Sequence, residues 1–362
     1  MLNKAVKKTD RKSRESAQTV AVHSIETMGL VDGPGIRTVF FLQGCPLRCA
    51  YCHNPDTQPF EGGERMTADD ILKTALRYKS YYGDEGGVTF SGGEPLAQAK
   101  FLAEVMPLLK SHGINIALDT SGYGQQKYYE HVLPYVDVML LDIKAFNYFV
   151  FEQLVGAEIS IFLNFLNSLE QYGFKGKIWL RHVMIPGLTN DDESMQKLVE
   201  LALPIAHLVD RIEILPYHTM GAEKYRELKK RYRLQEFQEM DGAEAKLYEI
   251  YANKHFAAIY RKYRNENNKD NLEFQRVLEK NNNFLLATTL LNLIKAHAEI
   301  IENKYKLEFS KSYREILDSK TGINKSQLIR KIGEFKDLGY ITTPDSHTII
   351  LEDLTTLENY RI

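Results

Sequence analysis

Outside the stretch Cys45–Cys52 this sequence has no cysteine at all, and that stretch holds all three. A chain of 362 residues built this way has no disulfide framework. No run approaches the ~20 apolar residues that a membrane helix needs. Residues 1–18 are rich in Lys and Arg but lack an apolar core. That excludes a secretory signal and reads as a disordered basic tail. An excess of one charge is missing too: the net charge is −2, so there is no global signature of polyanion binding. The length allows two domains. Unpaired thiols in such a chain point to a reducing cytoplasm.

What is present is a set of three thiols spaced CxxxCxxC: Cys45, Cys49 and Cys52. Iron–sulfur clusters are held by thiolates and ordinarily take four. Three would leave one iron of a 4Fe-4S cluster without a protein ligand, open to a substrate or cofactor. Two other readings stay open on spacing alone. One is a zinc site completed by His53; the other is three buried thiols with no metal. The apolar run Thr38–Leu42 delivers Cys45 from a strand end into a loop, where α/β enzymes put their chemistry. A second strand-to-turn passage follows at Gly87–Pro95, with Gly92 and Gly93 allowing close backbone approach.

Apolar strand-like runs alternate with helical patterns up to about residue 260. Strands are expected at Ile36–Leu42, Gly87–Phe90, Asn115–Asp119, Val136–Ile143, Lys177–Ile185 and Arg211–Pro216. Helices are expected at Thr67–Tyr82, Ala97–His112 and Asp192–Ala202, with Thr67 and Asp70 as a start signal. This alternation predicts a parallel sheet with covering helices, and about six repeats are too few to close an eight-stranded barrel.

Seven motifs in order carry a family resemblance: Asp32–Arg37, Cys45–Thr57, Ser91–Pro95, Leu118–Gly122, Leu140–Lys144, Trp179–Gly187 and Ile212–His218. The chain resembles the radical S-adenosylmethionine (SAM) glycyl-radical-enzyme activases, in the branch that acts on pyruvate formate-lyase. The resemblance covers roughly residues 20–260. It implies an α/β fold, a partial (β/α)6 barrel spanning 19–260, with the cluster at the C-terminal mouth of the strands. It implies a 4Fe-4S cluster on Cys45, Cys49 and Cys52, SAM on the open iron, and a monovalent cation nearby. It further implies that an electron cleaves SAM to methionine and a 5′-deoxyadenosyl radical, which takes hydrogen from a glycine of the partner enzyme. A flavodoxin or ferredoxin is the expected electron donor.

Carried over residue by residue, Gly92, Gly93 and Glu94 meet the SAM amino group. Asp119 and Asp142 line the pocket near it, Lys144 pairs with the SAM carboxylate, and His218 reaches the ribose. Arg181, a charge inside a strand, is expected to face the cavity. Tyr51, His53, Ile143 and Ala145 complete the cofactor lining. Asp32, His53 and Asn54 are assigned to docking of the target glycine loop, in loops at the same mouth. Pro95 and Ala145 depart from the family pattern. The interval Asn54–Val88 has no cysteine, which favours pyruvate formate-lyase over targets whose activases insert ferredoxin-like clusters there.

The remainder has a different grammar. Residues 261–283 read as a polar linker and lead-in. From Phe284 to Tyr305, Leu286, Leu290, Leu293, Ile294, His297 and Ile301 share one helical face, a packing surface or a dimerisation helix. Then come helices at Ser312–Lys320 and Lys325–Leu338, and a hairpin of Ile341–Thr343 with Thr348–Leu351. Residues 284–362 thus read as a long helix plus a domain that resembles the winged helix-turn-helix of cyclic-AMP-receptor/FNR-type regulators. That likeness implies DNA contact through exposed Asn324, Lys325, Gln327, Arg330 and Lys331. The rival reading of the whole chain is an iron–sulfur redox sensor with a DNA-binding output. A second is an activase of a different glycyl radical enzyme.

Overall fold

The computed structural model describes residues 18–146, 148–265, 286, 290, 293, 299–301, 304–321 and 325–352. Strands run β1 (Thr19–Gly29), β2 (Arg37–Leu42), β3 (Glu64–Thr67), β4 (Gly87–Gly92), β5 (Asn115–Thr120), β6 (Val138–Asp142), β7 (Lys177–Met184), β8 (Val209–Pro216), β9 (Glu299–Ile301), β10 (Lys304–Glu308), β11 (Ile341–Thr342) and β12 (Thr348–Leu351). The principal helices are α1 (Ala68–Tyr78), α2 (Ala99–Ser111), α3 (Tyr148–Val155), α4 (Ile159–Gln171), α5 (Asp192–Ala202), α6 (Ala222–Glu227), α7 (Gly242–Asn265), α8 (Tyr313–Thr321) and α9 (Lys325–Asp337). Among the described residues no helix is long and apolar enough to cross a membrane.

The chain divides into two compact units. The first holds residues 1–144, 172–190 and 208–249. Its sheet has the order β3-β1-β2-β4-β5-β6-β7-β8. The six strands from β2 to β8 in that order are parallel, as the alternation of patterns predicts. β1 and β3 add an antiparallel margin that the strand patterns did not reveal. Parallel pairing gathers the C-terminal ends of these strands at one end of the sheet, where the cysteine loop, the Gly92–Gly93 turn, Asp119, Asp142 and His218 all emerge.

Local sequence explains the elements. Thr67 and Asp70 form a reciprocal capping box at the start of α1: the Asp70 N–H donates to Thr67 Oγ1 (3.2 Å) and the Thr67 N–H to Asp70 Oδ2 (3.1 Å). In β7 the residues Ile178, Leu180, His182 and Met184 are buried on one face, while Trp179, Arg181 and Val183 share the other. The opposite end of the sheet is pinned by Arg37, which is fully buried. Its guanidinium donates to Thr89 Oγ1 (2.6 Å), to the carbonyls of Pro34 (2.9 Å) and Val88 (2.8 Å), and to Asn115 Oδ1 (2.9 Å). Burial lowers its pKa to about 10, opposed by the nearby charge of Asp137 and Asp32, and these acceptors hold the guanidinium in place.

The second unit holds residues 145–171, 191–207 and 250–362. Three expectations change here. Residues 261–265 continue α7 rather than opening a linker. The expected helix to Tyr305 stops short, because 299–301 and 304–308 are strands. Lys304–Glu308 alternates in a strand pattern, and Ile300 and Ile301 are β-branched. Leu286, Leu290 and Leu293 are helical and buried within the chain, so this part of the stripe is a packing face rather than a free dimerisation face. Downstream, α8 and α9 precede the β11–β12 hairpin, and β12 pairs with β10 in a four-stranded sheet of order β11-β12-β10-β9. Gly339 ends the second helix in a left-handed conformation (φ 74°).

Candidate active site

Cys45, Cys49 and Cys52 lie partly buried on the loop after β2. Backbone bonds shape that loop: the Cys45 N–H donates to the Gln58 carbonyl (3.0 Å) and the Cys52 N–H to the Cys49 carbonyl (3.2 Å). Of the apolar residues in and just before this loop, Phe40, Leu47 and Tyr51 are buried and Phe41 is half-buried. Burial pushes the Cys49 thiol up to about 11 and Cys45 higher still, so neither would ionise unaided near neutrality. Among the described residues no three His, Cys, Asp or Glu side chains stand close enough to share a single ion. A cluster offers its irons at separate corners, so it suits a wider triangle of thiols. His53, the residue needed for a zinc site, is engaged elsewhere: its ring stacks on His218 at 4.1 Å and its Nε2 lies 3.3 Å from the His218 carbonyl.

Beside this loop runs a ladder of buried charge. Ser91 Oγ donates to Asp119 Oδ2 (2.7 Å), and Arg181 Nη2 donates to Asp119 Oδ1. Arg181 Nε donates to Asp142 Oδ1 (3.0 Å), and Lys144 Nζ to Asp142 Oδ2 (2.6 Å). Lys144 then lies over the Tyr51 ring, 5.8 Å from its centroid. Burial opposes every charge here, but the pairing prevails for Asp142, held below its ordinary value by Arg181 and Lys144. The same pairing holds Lys144 and Arg181 above theirs. Asp119 stays above its ordinary value, because burial outweighs Arg181.

The Gly92–Glu94 turn has a double role. Gly92 sits at φ 107°, and a Cβ there would meet the Leu42 N at 2.3 Å. The Gly93 and Glu94 N–H groups donate to the carbonyls of Leu42 (2.8 Å) and Gly44 (3.0 Å), clamping the turn to the strand that carries Cys45. The Glu94 carboxylate is buried and accepts from Thr120 Oγ1 (2.5 Å), the Ser121 N–H (2.8 Å) and the Leu96 N–H (3.0 Å). Burial raises its pKa to about 7 against those donors. The Glu94 side chain is therefore a structural tie between two turns, not a free cofactor contact.

Other assignments shift as well. Asp32 comes from the loop before β2, at the opposite end of the strands from the cysteines. Its carboxylate nonetheless faces Asp119 and Arg181, and burial, then Asp119, raises its pKa to about 6. Asn54 Oδ1 accepts from Lys224 Nζ (2.9 Å), so it is tied down within the loop. Both backbone groups of Ile143 are engaged: its N–H donates to the Arg181 carbonyl (2.8 Å), and its carbonyl lies 2.7 Å from His182 Nδ1. Ile143 and Ala145 are buried. Of the residues assigned to DNA, Asn324 lies outside the described residues, as do the side chains of Lys325 and Gln327. Arg330 pairs with Glu334 at 3.0 Å. Lys331 is buried rather than exposed, its Nζ 2.7 Å from Glu334. It falls in the stripe of Leu328, Ile332 and Phe335, which is the core face of α9.

Sequence reading missed Ser91, Thr120, Lys224, Tyr225 and Arg233. Strand alternation across β4 and β5 carried a signal for Ser91, which meets Asp119 across the sheet, and Thr120 lies inside the Leu118–Gly122 motif; nothing local marks the other three. Among the described residues, the Tyr51 hydroxyl and His218 Nδ1 are buried polar atoms with no hydrogen-bond partner. Buried groups of this kind ordinarily find a partner. Three thiols, a charge ladder and two orphaned polar atoms therefore fit a cluster together with a polar, zwitterionic cofactor.

The family model described as Radical SAM superfamily matches residues 39–199. The pyruvate formate-lyase-activating enzyme of Clostridium pasteurianum is 47% identical over 231 residues, 64% of this chain and 95% of its own. That of Streptococcus mutans serotype c is 44% identical over 218 residues, 58% of this chain and 82% of its own. That of Staphylococcus aureus (strain USA300) is 38% identical over 240 residues, 64% of this chain and 94% of its own. With that identity sustained across nearly the whole length of the Clostridium relative, the chain belongs to the pyruvate formate-lyase-activating enzyme family of the radical SAM superfamily.

Proposed function

We propose that this chain installs the glycyl radical of pyruvate formate-lyase under anaerobic conditions. The observation that carries this reading is the 47% identity across 95% of the Clostridium relative. Cys45, Cys49 and Cys52 would hold a 4Fe-4S cluster, and three thiolates would leave it one iron open to SAM. When bound, the cluster would supply the electron for reductive cleavage of SAM, the chemistry by which the target glycine would lose its hydrogen. The chain's own residues bind and orient. Lys144 and Arg181 offer cations to the SAM carboxylate, Asp119 and Asp142 face its ammonium, and a monovalent cation fits the same acidic lining. Tyr51 and His218 present unpartnered polar atoms to the adenosyl group. The backbone edge of Gly92 and Gly93 closes the amino-group side. His53, on the cysteine loop, meets the glycine loop. A reduced flavodoxin or ferredoxin supplies the electron.

DNA as a partner has lost one of its named supports, since Lys331 is buried, while Arg330 stays exposed in a surface pair with Glu334. The test is to incubate the iron-loaded chain anaerobically with SAM, reductant and pyruvate formate-lyase, and then assay formate from pyruvate and coenzyme A. Formate production that requires this chain and SAM is expected. No formate, but 5′-deoxyadenosine still made, would move the target to another glycyl radical enzyme. Neither product would favour the sensor reading.

A further inference from the structure

The activase reading requires a reductant, and the surface beside the cysteine loop carries a feature that reading does not use. Between Arg226 and Arg233 the side chains of Arg226, Lys229, Lys230, Arg231 and Arg233 are exposed, with Glu227 the sole acid among them. The chain as a whole is slightly acidic, so this is a local concentration of positive charge. Arg226 makes one long, exposed pair with Glu223 at 3.4 Å.

Two observations tie this segment to function. First, it is built onto the cysteine loop. Arg233 Nη2 donates to the carbonyl of Arg48, and the Tyr225 hydroxyl lies 3.5 Å from the carbonyl of Cys49. Arg48 itself is exposed and donates to the Cys45 carbonyl at 2.7 Å, adding its charge to the same surface. Second, the backbone is strained to keep its charge. Lys229 is the one non-glycine residue at positive φ (54°) among the described residues. It ends α6, where the Lys230 N–H donates to the Tyr225 carbonyl (2.8 Å) and the Lys229 N–H to the Arg226 carbonyl (3.0 Å). Glycine is the ordinary residue at such a helix stop, because a Cβ is disfavoured there. A lysine in its place accepts conformational cost at the centre of the basic run.

We propose that the Arg226–Arg233 segment, with Arg48, is the docking surface for the reductant, and that the reductant is an acidic electron-carrier protein. The proposal rests on the activase reading above. Complementary charge steers the carrier toward the loop bearing Cys45, Cys49 and Cys52 and fixes its orientation. One electron passes: the carrier is oxidised by one equivalent and the iron–sulfur centre is reduced by one. No bond forms or breaks, and no proton moves.

The test uses the iron-loaded chain, a flavodoxin as the acidic carrier, and dithionite as a reductant that needs no docking. Two variants are compared with wild type: the triple charge reversal Lys229→Glu, Lys230→Glu, Arg231→Glu, and the single Lys229→Gly. The single change removes one charge while relieving the backbone, so weaker binding cannot come from a damaged helix end. Calorimetry at about 50 mM salt is expected to show flavodoxin affinity reduced about tenfold or more in the triple variant, and less in Lys229→Gly. The difference should vanish near 0.5 M salt, about where charges a few ångströms apart are screened. Formation of 5′-deoxyadenosine should fall with reduced flavodoxin and stay within about twofold of wild type with dithionite. Affinity within twofold of wild type in both variants overturns the proposal, as does an equal loss with dithionite. A wild-type chain that makes no 5′-deoxyadenosine with dithionite would instead sink the activase reading, which the calorimetry does not depend on.

Discussion

Replacing Arg181 by Met tests whether the charge ladder holds the site together. Arg181 is 12% exposed and bridges Asp119 and Asp142, themselves 16% and 17% exposed. Without it, Asp142 keeps Lys144 at 2.6 Å, but Asp119 keeps only the Ser91 hydroxyl at 2.7 Å. The loss therefore falls mainly on Asp119, a buried carboxylate left without a cation in contact, with only the more distant Lys144 still lowering its pKa. Removing one partner of a buried pair costs about 3–5 kcal/mol, and we expect about 3 because Ser91 and the residual exposure soften it. The deficit must also depend on pH. Burial already holds Asp119 above its ordinary value, and Arg181 is the chief group pulling it down. In the variant its folded-state pKa rises further above the unfolded value. A carboxyl of that kind binds its proton more tightly when folded, so the variant regains stability as pH falls through the raised pKa. The recovery is about 1.4 kcal/mol per pH unit for one carboxyl. Urea unfolding of the metal-free proteins at pH 7.5 and 5.5, followed by the fluorescence of Trp179, the single tryptophan, reads both effects. A loss below about 1 kcal/mol at pH 7.5 would refute the reasoning, as would a larger loss at pH 5.5 than at pH 7.5.

Glu94→Ala should cost about 3 kcal/mol by the same unfolding assay, because three donors lose one buried acceptor. It should also weaken SAM binding in calorimetry, since the Gly92–Gly93 turn is no longer tied to Thr120 and Ser121. Lys331→Met should be neutral within about 1 kcal/mol or stabilising, because a buried ion pair is replaced by an apolar side chain of similar length in a core stripe. It should leave any affinity for duplex DNA unchanged in a gel-shift titration; weaker duplex binding would return Lys331 to a contact role.

The parallel core was legible because its strands are short apolar runs that alternate with helix patterns, and each of the six expected strands falls within a residue or two of its place. The edge strands β1 and β3 were not, because β1 carries an exposed stretch, Ser24–Glu26, and β3 has one buried residue in four. Cys45, Cys49 and Cys52 announced themselves by isolation, and Arg181 by being a charge inside a strand. The anchoring role of the Glu94 side chain was not legible because its partners, Thr120 and Ser121, are distant in sequence. Lys331 was misread because a lysine at a core position looks like any surface lysine until its helical phase is known. The basic run Arg226–Arg233 is plain in the sequence, but its attachment to the cysteine loop depends on contacts some 180 residues apart in the chain.

The most direct test of the central claim is electron paramagnetic resonance on pyruvate formate-lyase after anaerobic incubation with the iron-loaded chain, SAM and reductant. The account predicts a glycyl-radical doublet on the target that disappears when Cys49→Ala replaces the wild-type chain. A wild-type chain with full iron content that leaves pyruvate formate-lyase without a radical signal would contradict it.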